Sequence, residues 1–191
     1  MVERSATMAE AISRHRFSVE DYHRMVEAGI LTENDPVELI RGELVVMAPI
    51  GSPHAASVTR LTDAFDGLRA RVFRSTQNPV WLADSEPEPD FQLLVRKDDY
   101  YASGHPKPAD VYLLVEVADS SLRFDREVKG PLYAENGIRE YWLVDIEGDA
   151  IEVRRRPEDG RYRELRTVRR GETIAPEAFP DFEVAADAIL P

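Results

Sequence analysis

Val111-Tyr112-Leu113-Leu114-Val115-Glu116-Val117 decides the fold. Residues 111–115 are apolar without alternation, so a strand built from them must be covered on both faces and lie centrally in its sheet. Working outward, Phe91-Gln92-Leu93-Leu94-Val95 and Glu140-Tyr141-Trp142-Leu143-Val144-Asp145 read as further strands. Between the central strand and residue 140, residues 122–136 read as a helix closed by Asn136-Gly137, with Pro131 in a first turn or at a kink. Residues 96–109 read as a polar loop rich in Gly, Pro and Lys.

Farther out, Val58, Leu61, Ala64, Phe65 and Leu68 recur at helical steps and predict an amphipathic helix over 54–70. Short strands are expected at 72–74 and 80–82. Residues 37–40 and 44–47 flank Arg41-Gly42-Glu43 at hairpin spacing, and Ser18 with Asp21 resembles a cap for a helix that Gly29 closes. Residues 150–156 and 162–168 form an outer hairpin, and 171–191 cap the fold. Residues 1–15 are small, polar and aperiodic, which predicts a flexible arm ahead of a single domain over 16–191. The expected class is mixed α/β (α+β): a mixed β-sheet flanked by helices, with an N-terminal helix and hairpin.

The 191 residues are 43% hydrophobic and 31% charged, close to globular averages. With no cysteine, thiol nucleophiles, disulfides and thiolate metal sites are excluded, so any metal is held by oxygen or imidazole. No apolar stretch is long enough to cross a bilayer, and the N-terminus lacks a secretion signal, which predicts a cytoplasmic protein with no membrane partner. The formal charge of −12 opposes contact with anionic surfaces, nucleic acid included. No glycine-rich phosphate loop is present, so no nucleotide cofactor is expected. Ser120 and Ser121 lack the flanking glycines of a hydrolase elbow and read as caps for the helix that follows. His15, His23 and His105 lie in polar stretches without ligand spacing.

Glu116 ends the apolar run, where an anion must be protonated, paired or bound to a cation, unless the strand end turns outward into water. Asp90 opens a neighbouring strand after the acidic Glu86-Pro87-Glu88-Pro89. Two such carboxylates at one sheet edge supply the hard oxygens that Mg²⁺ or Mn²⁺ prefers. Lys129, on the helix after the central strand, is either a solvated helix residue or a group that orients a nucleophile and offsets developing charge. Arg154-Arg155-Arg156, Arg166, Arg169 and Arg170 read as a solvated face balanced by acids, or else as a DNA-backbone patch. Trp142 reads as core.

Pro89-Asp90, Leu114-Val115-Glu116-Val117, Asp125, Lys129, Tyr133, Gly137, Glu140-Tyr141-Trp142 and Asp145, in that order, resemble the Uma-type family within the PD-(D/E)XK nuclease superfamily. Glu38-Leu39-Ile40-Arg41-Gly42-Glu43 and Ser52-Pro53-His54 match it too, so the likeness spans residues 16–189. The resemblance implies a restriction-endonuclease-like core and a Mg²⁺-dependent DNA endonuclease, with Mn²⁺ as an alternative ion. It implies Asp90, Glu116 and the Val117 carbonyl as metal ligands, Glu38 as a further ligand, direct or through water, and Lys129 as the motif lysine. The superfamily's lysine normally stands two residues after the acid, and that place is Ala118 here. His54 would contact a phosphate or assist proton transfer, or make a structural hydrogen bond. Cutting both strands of a duplex favours a homodimer. The alternative is a non-catalytic nuclease-fold interaction or DNA-repair accessory protein; a small-phosphoester hydrolase is a third reading.

Overall fold

The computed structural model describes residues 14–32 and 34–191, so the arm expected at 1–15 lies outside the described residues apart from Arg14 and His15. Ser18 caps α1 (Val19–Glu27) through a reciprocal box with Asp21, and the chain leaves through Gly29 at φ +70°. β1 (Val37–Ile40) and β2 (Glu43–Val46) pair across Arg41 and Gly42, both at positive φ, as a two-residue hairpin turn requires. α2 (Ser52–Ala64) starts with Pro53 in its first turn and passes into a 3₁₀ turn at Asp66–Leu68, short of the end expected at residue 70.

Six strands form the main sheet in the order β3-β4-β5-β6-β7-β8: β3 (Phe73–Ser75), β4 (Phe91–Leu94), β5 (Val111–Ala118), β6 (Glu140–Asp145), β7 (Ala150–Glu158) and β8 (Arg161–Arg169). Only β5 and β6 run parallel, joined by a helical crossover. β5 is central, as its unalternating run demands. Leu113, Val115 and Val117 pack with Phe91 and Trp142 beneath Leu61 of α2, Phe65 just past its end, and the C-terminal Ile189 and Leu190. Leu114 and Ala118 pack on the opposite face with Leu132, Tyr133, Tyr141 and Leu143. The tail adds a two-stranded ribbon, β9 (Thr173–Ile174) with β10 (Val184–Ala185), and closes the first core.

Residues 80–82 are not a strand. Val80 and Leu82 are buried, yet their N–H groups donate to the carbonyls of Pro87 and Ser85, folding 80–87 back on itself. Pro79, Pro87 and Pro89 each lack the donor a ladder needs. The crossover also departs from a plain helix. α3 (Leu122–Phe124) passes through a π turn (Asp125–Lys129) into α4 (Gly130–Glu135). In a regular helix the Pro131 ring would clash with the Glu127 carbonyl. Here the Gly130 N–H reaches back to the Asp125 carbonyl instead, and the Arg126 carbonyl, which Pro131 cannot serve, accepts from Arg154 Nη1 at 3.2 Å. A side chain at Gly130 would meet that guanidinium at 2.8 Å. Ser121 occupies the position before α3, but its hydroxyl donates to the Asp125 carboxylate rather than capping the backbone.

Candidate functional site

β5 alternates its side chains between two cores, so Glu116 points to the face covered by the crossover. It is 3% exposed. A buried carboxylate there needs donors, and the crossover supplies two: Lys129 Nζ at 3.0 Å and the Tyr133 hydroxyl at 2.6 Å, both to Oε1. Lys129 and Tyr133 are one helical turn apart and therefore share a face. Ala118 lies on the same face of β5 as Glu116, the face from which Lys129 reaches the carboxylate.

Lys129 Nζ also stands 3.0 Å from Glu38 Oε1, while Glu38 Oε2 accepts from the backbone N–H of Glu88 at 3.1 Å. The N-terminal hairpin thereby closes over the crossover. Burial alone disfavours the ammonium, but the Glu116, Glu38 and Asp125 carboxylates outweigh it and hold the Lys129 pKa above its ordinary value. Burial pushes Glu116 well above the carboxylate range; Lys129 pulls it down, and Asp90, Asp125 and Glu38 raise it further.

Past Phe91, β5 loses its β4 partner, and the Asp90 side chain takes over the ladder: Oδ2 accepts from the Val117 N–H at 2.8 Å and from His54 Nε2 at 3.0 Å. Since the N–H and C=O of one strand residue point to the same side, the Val117 carbonyl also faces Asp90. His54 comes from the first turn of α2, and the Asp90 carboxylate is the main influence raising its pKa. Its Nδ1 is buried without a hydrogen-bond partner.

Glu38, His54, Asp90, Glu116, Val117 and Lys129 line one cavity of about 560 Å³, with the Tyr133 hydroxyl supporting Glu116 from behind its wall. Its acids are Glu38, Glu88, Asp90, Glu116, Asp119 and Asp125, facing a single lysine and one histidine. Asp90 Oδ1 and Glu116 Oε2 accept no hydrogen bond among the described residues, and both residues line the cavity with Val117; carboxylate and carbonyl oxygens are the donors a hard dication takes. The acids are not drawn into a tight trio, because Lys129 stands between Glu38 and Glu116. Among the described residues, the group of three whose ligand atoms lie within 4.8 Å of one another is His23, Glu86 and His105, far apart in the sequence and without any spacing signal.

Five of the six outer-hairpin arginines are paired with acids: Arg154 with Glu152, Arg155 with Glu140, Arg156 with Glu164, Arg166 with Glu172 and Arg170 with Asp149, while the Arg169 guanidinium donates to the Gly148 carbonyl at 3.4 Å. Trp142 is core, its indole N–H donating to Glu140. No helix among the described residues is long and apolar enough to cross a membrane. The parts of Tyr133 and Asp125 were not assigned from sequence; their helical spacing from Lys129 was the available signal.

A family model described as "Uma2: Putative restriction endonuclease" matches residues 19–187. Among solved structures, the chain is similar to one described as a "putative nuclease belonging to DUF820" from Anabaena variabilis ATCC 29413, at 13% identity and a TM-score of 0.69, over 91% of this chain and 97% of that one. That likeness is one of fold. No curated protein matches.

Proposed function

The chain belongs to the Uma2 family, and on that premise we propose that it is a Mg²⁺-dependent endonuclease that hydrolyses phosphodiester bonds in DNA. One observation carries the reading: Glu116, buried at the end of the central strand beside Asp90, shares an acid-rich cavity with Lys129, 3.0 Å away. So many carboxylates against one ammonium leave negative charge that a dication would neutralise. Asp90, Glu116 and the Val117 carbonyl would hold it, with Glu38 reaching it through water. Bound there, Mg²⁺ or Mn²⁺ would supply Lewis-acid polarisation of the phosphodiester and charge neutralisation.

The remaining work falls to the chain's own groups. Lys129, fixed between Glu116 and Glu38, orients the attacking water and offsets charge as it builds on the phosphate. Tyr133 holds the Glu116 carboxylate in place. His54, steadied by Asp90, faces the phosphate or passes a proton to the leaving oxygen. Two copies of the chain would present two such cavities to the two strands of a duplex.

The test is cleavage of plasmid and oligonucleotide DNA under Mg²⁺ or Mn²⁺ by the wild type, Asp90→Ala, Glu116→Gln and Lys129→Ala. Cleavage by the wild type and its loss in all three variants is expected. Equal cleavage by all four proteins would overturn the assignment, and no cleavage by any would favour a non-catalytic nuclease-fold accessory.

A further inference from the structure

Glu86 and Asp90 stand at the two ends of one short acidic run, yet their side chains meet different histidines. Asp90 meets His54 in the cavity, and Glu86 meets His23 of α1, Oε2 to Nε2 at 2.8 Å. Glu86 is 4% exposed, and that imidazole is its one side-chain partner among the described residues. His105, from the loop before β5, completes the group, with one ligand atom from each of the three residues within 4.8 Å of the others. The His23 ring is held edge-on to Trp81 at 5.4 Å and lies 6.3 Å from the His105 ring.

We propose that His23, Glu86 and His105 form a second metal site, selective for a zinc-like transition-metal dication and separate from the Asp90–Glu116 cavity. The donors are two imidazoles and one carboxylate, the combination that holds zinc through three protein ligands with a fourth position open to solvent. Imidazole favours zinc and its neighbours over Mg²⁺, so the two sites differ in the ions they take. A dication also answers a local problem: the Glu86 carboxylate is buried with an imidazole as its sole counter-group. Ligands at ~2.0–2.2 Å from one ion stand roughly 3.4 Å apart in a tetrahedron, so the trio closes by side-chain movement on the order of 1 Å.

The role is architectural. α1, the acidic run and the loop at 96–109 already meet around Trp81, whose backbone N–H donates to the Pro106 carbonyl at 2.8 Å and whose ring packs on His23, and the ion would tie the three segments at one point. Because Glu86 begins the run that delivers Glu88 and Asp90 to the cavity, zinc there would anchor the run at its outer end. The proposal does not depend on nuclease activity.

The test is zinc binding by the chelator-stripped full chain, measured by calorimetry with excess Mg²⁺ present to occupy the cavity, alongside the visible spectrum of the Co²⁺-loaded protein. The expected result is one zinc per chain, a tetrahedral Co²⁺ spectrum and a zinc-dependent rise in melting temperature. His105→Ala changes an exposed residue and should fold normally while weakening zinc binding by more than the ~10–100-fold that loss of an outer-shell partner costs. His23→Ala should do the same, and Asp90→Asn should leave zinc binding intact. Failure of the wild type to bind zinc, unchanged binding by His105→Ala, or loss of binding in Asp90→Asn would each overturn the proposal.

Discussion

At Glu116 one carboxylate oxygen accepts from an ammonium and a phenol while the residue stays nearly sealed from bulk water. That arrangement makes Lys129 as much a structural counter-charge as a functional group. Replacing it with methionine keeps the bulk but leaves Glu116 and Glu38 buried without their shared cation, an uncompensated burial that costs about 3–5 kcal/mol. Urea denaturation of Lys129→Met should show that loss, and the double variant Glu116→Gln with Lys129→Met should recover part of it. A Lys129→Met protein as stable as wild type would mean that the three charges are not coupled. Glu116 was legible in the sequence because an acid after an unbroken apolar run is anomalous on solvation grounds alone. The trio His23, Glu86 and His105 was not, because three chain segments without a common period meet only after folding, and no local pattern encodes their approach.

Among the elements, the crossover from β5 to β6 places Lys129, and its π turn sets the rotation at which that side chain enters the cavity. Glu152 on β7 anchors the turn by accepting from both Arg126 and Arg154. Burial alone would raise the Glu152 pKa, but the two guanidinium groups outweigh it and hold the carboxyl below its usual 4.5. A depressed folded-state value means that the carboxylate contributes stability above the unfolded pKa and loses it as pH falls through the folded value. Glu152→Gln should therefore cost about 1–3 kcal/mol near neutral pH. Its difference from wild type should shrink once the pH drops below about 4. Chemical denaturation across that range checks it, and a pH-independent gap would refute the ion-pair account. Pro131 announced an interruption in the sequence. It did not announce a π turn, because that depends on Arg154, distant in the chain, supplying the donor the proline lacks. Residues 80–82 depart from a strand for a related reason: the β-rich triplet lies among prolines at 79, 87 and 89 that deny it a ladder.

On the scale of the whole molecule, two cores sandwich one sheet, and the chain's last residues complete the first of them. Ile189 and Leu190 are fully buried. Leu190→Ala should therefore lower stability by about 2–5 kcal/mol in a denaturation experiment, as large-to-small core changes do; a near-zero effect would show that the tail merely rests on the sheet. The layered architecture was readable from the unalternating β5 run, whereas the pairing of the outer-hairpin arginines with acids needed the strand registers to become visible. Part of the chain's charge of −12 lies at the cavity, where carboxylates outnumber cations. The most direct test is an anomalous difference map from crystals of the protein soaked in Mn²⁺. The account predicts a peak between the Asp90 and Glu116 carboxylates, beside the Val117 carbonyl. A cavity without a peak, or Mn²⁺ found only at His23, Glu86 and His105, would contradict it.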